Sequence, residues 1–150
     1  MPALKLDNFM PYRLSIATNR VSNAIATAYQ TLFGLRVPEW RLIAVLAEGE
    51  GATQQALGRA TRMDKVTVSR AAIALADRGL VVRQPNPTDQ RSHLLVLSET
   101  GEALYQQVAP KALELERQIF DQFSAEEIEQ LKAMLDRIEA AAATLDPERG

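Results

Sequence analysis

The chain has 150 residues, a formal net charge of −2 and no cysteine. That length suits one compact domain or two small lobes on a shared core, and the missing thiols exclude a disulfide framework, a thiolate zinc site and thiol-based redox sensing. No apolar run approaches the roughly 20 residues that cross a bilayer, and the opening Met1-Pro2-Ala3-Leu4-Lys5-Leu6-Asp7 lacks the basic cluster and long apolar stretch of a signal peptide, so a cytoplasmic protein is expected.

Residues 10–33 read as a long helix. Leu14, Thr18, Val21, Ile25, Ala28 and Leu32 recur at steps of four and three, the narrow seam of a helix laid along another helix, and Gly34 supplies a left-handed stop. Pro38 and Glu39 open a second helix to Ala47, apolar almost all round and therefore expected at the centre of a small core; Gly49 and Gly51 end it. Thr53 is an N-cap for a short third helix with Ala56, Leu57 and Ala60 on one face. After a turn at Arg62-Met63, Asp64 caps a fourth helix that runs to about Arg78 and stops at Gly79. Leu80–Arg83 and His93–Leu97 are β-prone runs on either side of the turn-forming Pro85-Asn86-Pro87-Thr88-Asp89-Gln90-Arg91. Ser98 caps a further helix carrying Leu104, Val108, Ala112, Leu115, Ile119 and Phe123, with Pro110 expected to kink it or shift its register. Ser124 and Glu127 form a capping box for a final helix striped by Ile128, Leu131, Leu135, Ile138, Ala142 and Leu145, and residues 146–150 read as a frayed end.

The charge is unevenly spread. Residues 1–51 carry a net +1, residues 52–93 a net +4 and residues 94–150 a net −7. A basic middle beside an acidic end is a local electrostatic footprint for a polyanion, which the overall sign conceals.

The order helix, turn, helix, strand, loop, strand across residues 52–97 describes a winged helix-turn-helix. On a helical wheel Val68, Ala72 and Leu75 fall within about 40° of Val68 and form the inward face. Val66, Arg70, Ala74 and Asp77 stand opposite, with Thr67 alongside. The outward face near the N-terminal end of such a helix reaches base edges in the major groove. Arg70 suits guanine O6 and N7, Val66 and the Thr67 methyl suit a thymine methyl, Lys65 suits phosphate or guanine, and Ser69 completes the reading set. In the wing, Arg91 is placed to enter a narrow minor groove, with Asp89 as its brace. The bland reading, a solvated amphipathic helix and a loop salt bridge, suits each part taken separately; the two parts in this order are far more specific.

Val66-Thr67-Val68-Ser69-Arg70, then Leu75-Ala76-Asp77-Arg78-Gly79-Leu80-Val81-Val82-Arg83, then Asp89-Gln90-Arg91 leading to Leu97-Ser98-Glu99-Thr100-Gly101 resembles the MarR (multiple antibiotic resistance regulator) family, whose signature is an Asp-x-Arg wing followed by a Leu-Ser/Thr-x-x-Gly helix start. The resemblance implies a mainly α fold with a small β-hairpin wing: a winged helix-turn-helix DNA-binding lobe over residues 37–97, and a helical dimerisation region from residues 1–36 and 98–150. It implies an obligate homodimer on a pseudo-palindromic operator, mostly as a repressor, with Val66, Thr67 and Arg70 as base readers and Arg91 as the minor-groove arginine. Many members release DNA when a small aromatic or phenolic acid binds between the dimer helices and the winged lobe.

Two branches of that family do not fit. Peroxide sensing needs a reactive cysteine, and zinc sensing needs clustered ligands that the lone His93 cannot assemble; His93 reads as a phosphate neighbour or a surface residue. Small-molecule sensing remains, with Phe9, Tyr12, Arg13, Arg20 and Trp40 as candidate pocket residues for a carboxylated aromatic ring, and with core packing or surface ion pairing as the competing reading of each. No nucleophile–base pair, phosphate-cradling loop or metal cluster points to an enzyme, and no cofactor is expected. The competing function is a winged helix used as a protein-interaction module without DNA binding.

Overall fold

The computed structural model describes residues 2–146; residues 147–150 of the expected frayed end lie outside them. After a single 3-10 turn at Leu6–Asn8, helix α1 (Met10–Phe33) begins with Pro11 in its first turn, where a missing N–H leaves no partner unsatisfied. It ends as expected at Gly34, which adopts the left-handed conformation (φ 64, ψ 26). There the Gly34 N–H donates to the Gln30 carbonyl and the Leu35 N–H to the Tyr29 carbonyl, which closes the last turn.

Helix α2 (Val37–Ala47) starts one residue before the predicted position, and Glu39 turns back so that its Oε1 accepts the Arg36 N–H at 3.0 Å. Leu42, Ile43 and Leu46 are core, while Trp40, Ala44 and Val45 are only half-buried, so the helix is central but not uniformly enclosed. It packs on α1 and on two further helices, α3 (Gln54–Thr61) and α4 (Lys65–Asp77). Thr53 caps α3, its Oγ1 accepting the Ala56 N–H at 3.1 Å. Leu57 is the buried anchor of that short helix; Ala60, expected on its inner face, is exposed, because two turns present only a narrow stripe to the core. Arg62, left-handed at φ 59, makes the turn into α4.

Strands β1 (Val81–Pro85) and β2 (His93–Leu97) pair antiparallel, Val81 opposite Leu97 and Pro85 opposite His93. The first strand is displaced from its predicted bounds because Leu80 belongs to the core junction: its carbonyl accepts the Ser98 N–H at 3.0 Å. A third segment extends the hairpin at one point, since Ala52 and Leu95 exchange two backbone hydrogen bonds, at 3.1 and 2.8 Å.

Helix α5 (Glu99–Phe120) is capped by Ser98, whose Oγ accepts the Gly101 N–H and donates to the Gly79 carbonyl at 2.6 Å. A Cβ at position 101 would collide with the Leu80 carbonyl oxygen, which is why glycine follows the serine at this spacing. The helix runs on through Pro110, which has no N–H to offer the preceding turn. Helix α6 (Ala125–Ala143) opens with the expected capping box: the Ser124 Oγ accepts the Glu127 N–H at 3.1 Å and the Glu127 Oε1 accepts the Ser124 N–H at 2.9 Å.

The chain forms two compact units, one up to Ala112 and one from Leu113 onward. In the first, Leu35, Leu42, Ile43, Leu57, Val68, Leu75, Leu95 and Val108 are fully buried and fix the winged lobe. In the second, Leu113, Phe123, Leu131, Met134, Leu135 and Ile138 are exposed. No helix of the described residues is long and apolar enough to cross a membrane.

Candidate nucleic-acid interface

The two sides of α4 differ sharply. Val68, Ala71, Ala72 and Leu75 are buried, so the inward face falls where the wheel places it. On the other side Lys65, Val66 (58% exposed), Arg70 and Asp77 face solvent, with Thr67, Ser69 and Ala74 half-buried on the flanks. Ile73, 49% exposed, shares that outward face with Val66. It was not singled out from the sequence, although its seven-residue spacing from Val66 is the signal that could have found it.

Asp64 sets the start of this helix. Its Oδ1 accepts the Thr67 N–H at 2.7 Å. Hydrogen bonds from the Thr67 backbone and side chain, then the Val66 N–H and the Arg70 charge, hold the carboxyl below the usual aspartate range despite some desolvation. The cap is thus ionised at neutral pH and ties up the leading amides of α4.

The wing tip, residues 86–92, is internally braced. The Asn86 side chain accepts from the Thr88 N–H and Oγ1 and donates to the Ser92 Oγ, while the Asp89 N–H donates to the Asn86 carbonyl. Asp89 does act on Arg91, but through the backbone: its Oδ1 accepts the Arg91 N–H at 2.9 Å. That bond sets the turn and leaves the Arg91 side chain exposed.

Strand register adds residues that the sequence did not single out. Arg83 lies opposite Leu95, so one cationic side chain shares the wing face that Val81 and Leu95 bury at its base. Arg83, Arg91 and His93 line a cleft of about 470 Å³ together with Gln54 and Gln55 at the start of α3. His93 therefore shares this cleft with two arginines and with the Asp89 carboxylate.

The candidate ligand residues are more scattered. Trp40 is stacked on Tyr105 (centroids 5.9 Å apart, 25° between planes) and meets Tyr29 edge-on at 5.7 Å. Burial raises the pKa of the Tyr29 phenol, which keeps it neutral. Arg20 and Arg13, both exposed, lie about 13 and 24 Å along the α1 axis from Tyr29 at 1.5 Å per residue. Arg13 donates to the Asp7 carbonyl, and Phe9 and Tyr12 belong to the same N-terminal end. The structure thus gathers Tyr29 and Tyr105 at Trp40, neither of them singled out from the sequence, and places Phe9, Tyr12, Arg13 and Arg20 further along α1. Among the described residues no cluster of histidine and carboxylates could hold a metal ion.

A helix with a buried inner and an open mixed outer face, set beside a braced hairpin with an arginine at its tip, defines a winged helix-turn-helix of the transcription-regulator class. The MarR family's sequence profile matches residues 33–92. The HTH-type transcriptional regulator YxaD of Bacillus subtilis is 30% identical over 100 residues, 67% of this chain and 70% of that protein. The homoprotocatechuate degradative operon repressor of Escherichia coli is 30% identical over 98 residues, 65% of this chain and 66% of that repressor. The matched stretch thus spans about two thirds of each relative. The crystal structure of a MarR/EmrR family transcriptional regulator from Acinetobacter sp. ADP1 superposes with a TM-score of 0.85 at 26% identity, covering 94% of this chain and 99% of that one. The chain belongs to the MarR family.

Proposed function

We propose that the chain is a sequence-specific DNA-binding transcriptional repressor that acts in the cytoplasm as a homodimer on a pseudo-palindromic operator, with a regulatory and not a catalytic role. The observation that carries this reading is the outward face of α4, where Val66 and Arg70, with the half-buried Thr67 alongside, face away from a core that buries Val68, Ala72 and Leu75. Lys65 and Ser69 flank the readers, and Arg91, its turn held by Asp89, reaches the minor groove. Residues 37–97 are the DNA-binding lobe. Residues 1–36 and 98–150 supply the dimer contacts, which accounts for the apolar side chains left exposed at Leu4, Leu6, Phe9 and Met10 and along α6.

The effector in this reading is a small aromatic or phenolic acid. The Tyr29–Trp40–Tyr105 cluster supports it, because an aromatic ring can extend an existing stack. The E. coli relative's name, a repressor of an aromatic-acid degradation operon, points the same way. Phe9, Tyr12, Arg13 and Arg20 are the residues nearer the N-terminal end of α1 that could complete the site in the dimer.

Mobility-shift titrations against a library of duplexes test the reading. A winning sequence with two half-sites about 34–36 Å apart, bound with affinity that falls steeply in salt, is the expected result. Equal, weak binding to every duplex would instead favour a protein-interaction module. A thermal-shift screen of aromatic acids tests the effector, since a ligand of the folded state raises the midpoint by mass action.

A further inference from the structure

Arg78 caps the C-terminal end of α4, and its side chain is used on neither DNA-facing surface. Its backbone is held in place: the Arg78 N–H donates to the Ala74 carbonyl at 3.2 Å, and the Leu80 N–H behind it to the Leu75 carbonyl at 2.9 Å. From that fixed point the guanidinium reaches across 44 residues of sequence to the end of α1, where Nη1 donates to the Gly34 carbonyl at 3.1 Å and Nη2 to the Phe33 carbonyl at 3.2 Å. A helix C-terminus leaves carbonyls without partners and carries partial negative charge, so a cation there gains twice. The planar fork also fixes direction, which a lysine ammonium cannot do with two acceptors at once.

The geometry points to Arg78 as a positioning residue for DNA reading: it clamps the recognition helix α4 to the C-terminal end of α1, so that a shift of α1 is carried to the base-reading side chains. This deepens the operator-binding reading and rests on it. Leverage gives the clamp its effect. Arg70 and Val66 lie about 12 and 18 Å along α4 from Arg78, so a tilt of about 5° pivoting there moves Val66 by about 1.5 Å. Productive contacts tolerate roughly 0.5 Å. Tyr29 lies one turn back from the clamped carbonyls and is part of the aromatic cluster, so a ligand that moves the end of α1 has a short hydrogen-bonded route to the reading face.

The full-length protein with Arg78→Gln, and with Arg78→Lys as the conservative variant, tests this. Affinity is measured on the duplex selected above and on a scrambled duplex across a salt series. Arg78→Gln is expected to lower the ratio of specific to non-specific affinity by about tenfold, as loss of a charge-assisted pair would, and Arg78→Lys by less. The slope of affinity against salt should stay unchanged, because Arg78 is not a phosphate contact. An unchanged ratio in both variants, or a slope reduced by about one, would overturn the proposal. A second measurement needs no DNA. Hydrogen exchange in Arg78→Gln should rise together at the amides of Gly34 and Leu35 and at those of Gly79 and Leu80, the four that close the two helix ends. A rise at one end only would overturn the clamp. Failure of the wild-type protein to select any duplex, with coupled exchange intact, would reject the operator reading while leaving the link between the helices standing.

Discussion

Helices α4 and α6 are built alike and end up in opposite situations. Each is amphipathic, and each opens on a short polar side chain that accepts an N–H three residues on, Asp64 in α4 and Ser124 in α6. The apolar face of α4 is sealed, with Leu75 at 0% exposure, whereas on α6 Leu131, Leu135 and Ile138 remain 37–42% exposed. Local chemistry thus specifies that a helix forms and which way its stripe faces, but not what covers the stripe. For α4 the cover is the chain's own core; for α6, under the proposed function, it is a second copy.

Truncation at the centre of the sealed face should have the largest effect. Leu75→Ala is expected to cost about 2–5 kcal/mol in denaturant unfolding through lost burial and the cavity left behind, by the same amount at every protein concentration. Charging the open face should behave differently. Leu135→Asp combined with Ile138→Asp should leave far-UV helicity in place, halve the mass seen by sedimentation and weaken operator binding at least about 100-fold, since two half-sites held by one dimer act with a high effective concentration. A double variant that stays dimeric would break the comparison, because the cover of α6 would then lie elsewhere.

A smaller effect belongs to the outward face of α4. Arg70→Ala should cost about 1–3 kcal/mol of binding free energy, concentrated at one base pair per half-site, with the salt dependence nearly unchanged. Selection from a randomised duplex pool checks this: relaxed preference at a single position is expected, and a uniform loss across positions would move Arg70 to the phosphate backbone.

What could be read from the chain follows from range. The caps at Thr53, Asp64, Ser98 and Ser124, the stop at Gly34 and the inward set of α4 are encoded within a few residues, and each stands where the pattern places it. The Leu-Ser-x-x-Gly start of α5 was visible as a motif, but its reason, the Leu80 carbonyl in the space a Cβ at Gly101 would fill, depends on a contact between elements. The bridge from Ala52 to Leu95, the position of Arg83 opposite Leu95 and the stacking of Tyr105 on Trp40 are likewise non-local. Strand bounds show the same limit: Val81-Val82-Arg83 is β-prone in isolation, but pairing with His93–Leu97 extends the strand to Pro85.

The smallest effect separates the two caps by charge. Asp64 titrates below the normal aspartate range because its ionised form accepts the Thr67 bonds, so the folded state holds that carboxylate more strongly than the unfolded chain does. The resulting stability is fully present above the unfolded-state pKa and disappears as pH falls through the lower folded-state value. Asp64→Asn keeps an oxygen that can cap the helix but removes the charge. Thermal midpoints of wild type and Asp64→Asn should therefore differ by a constant, small amount from neutral pH down to about pH 5, and the gap should close below the ordinary aspartate range, near pH 4 and under. A gap that persists unchanged into strong acid would mean that the carboxylate charge is not what distinguishes aspartate from asparagine at this cap. The recognition helix would then be anchored as α6 is, by geometry alone.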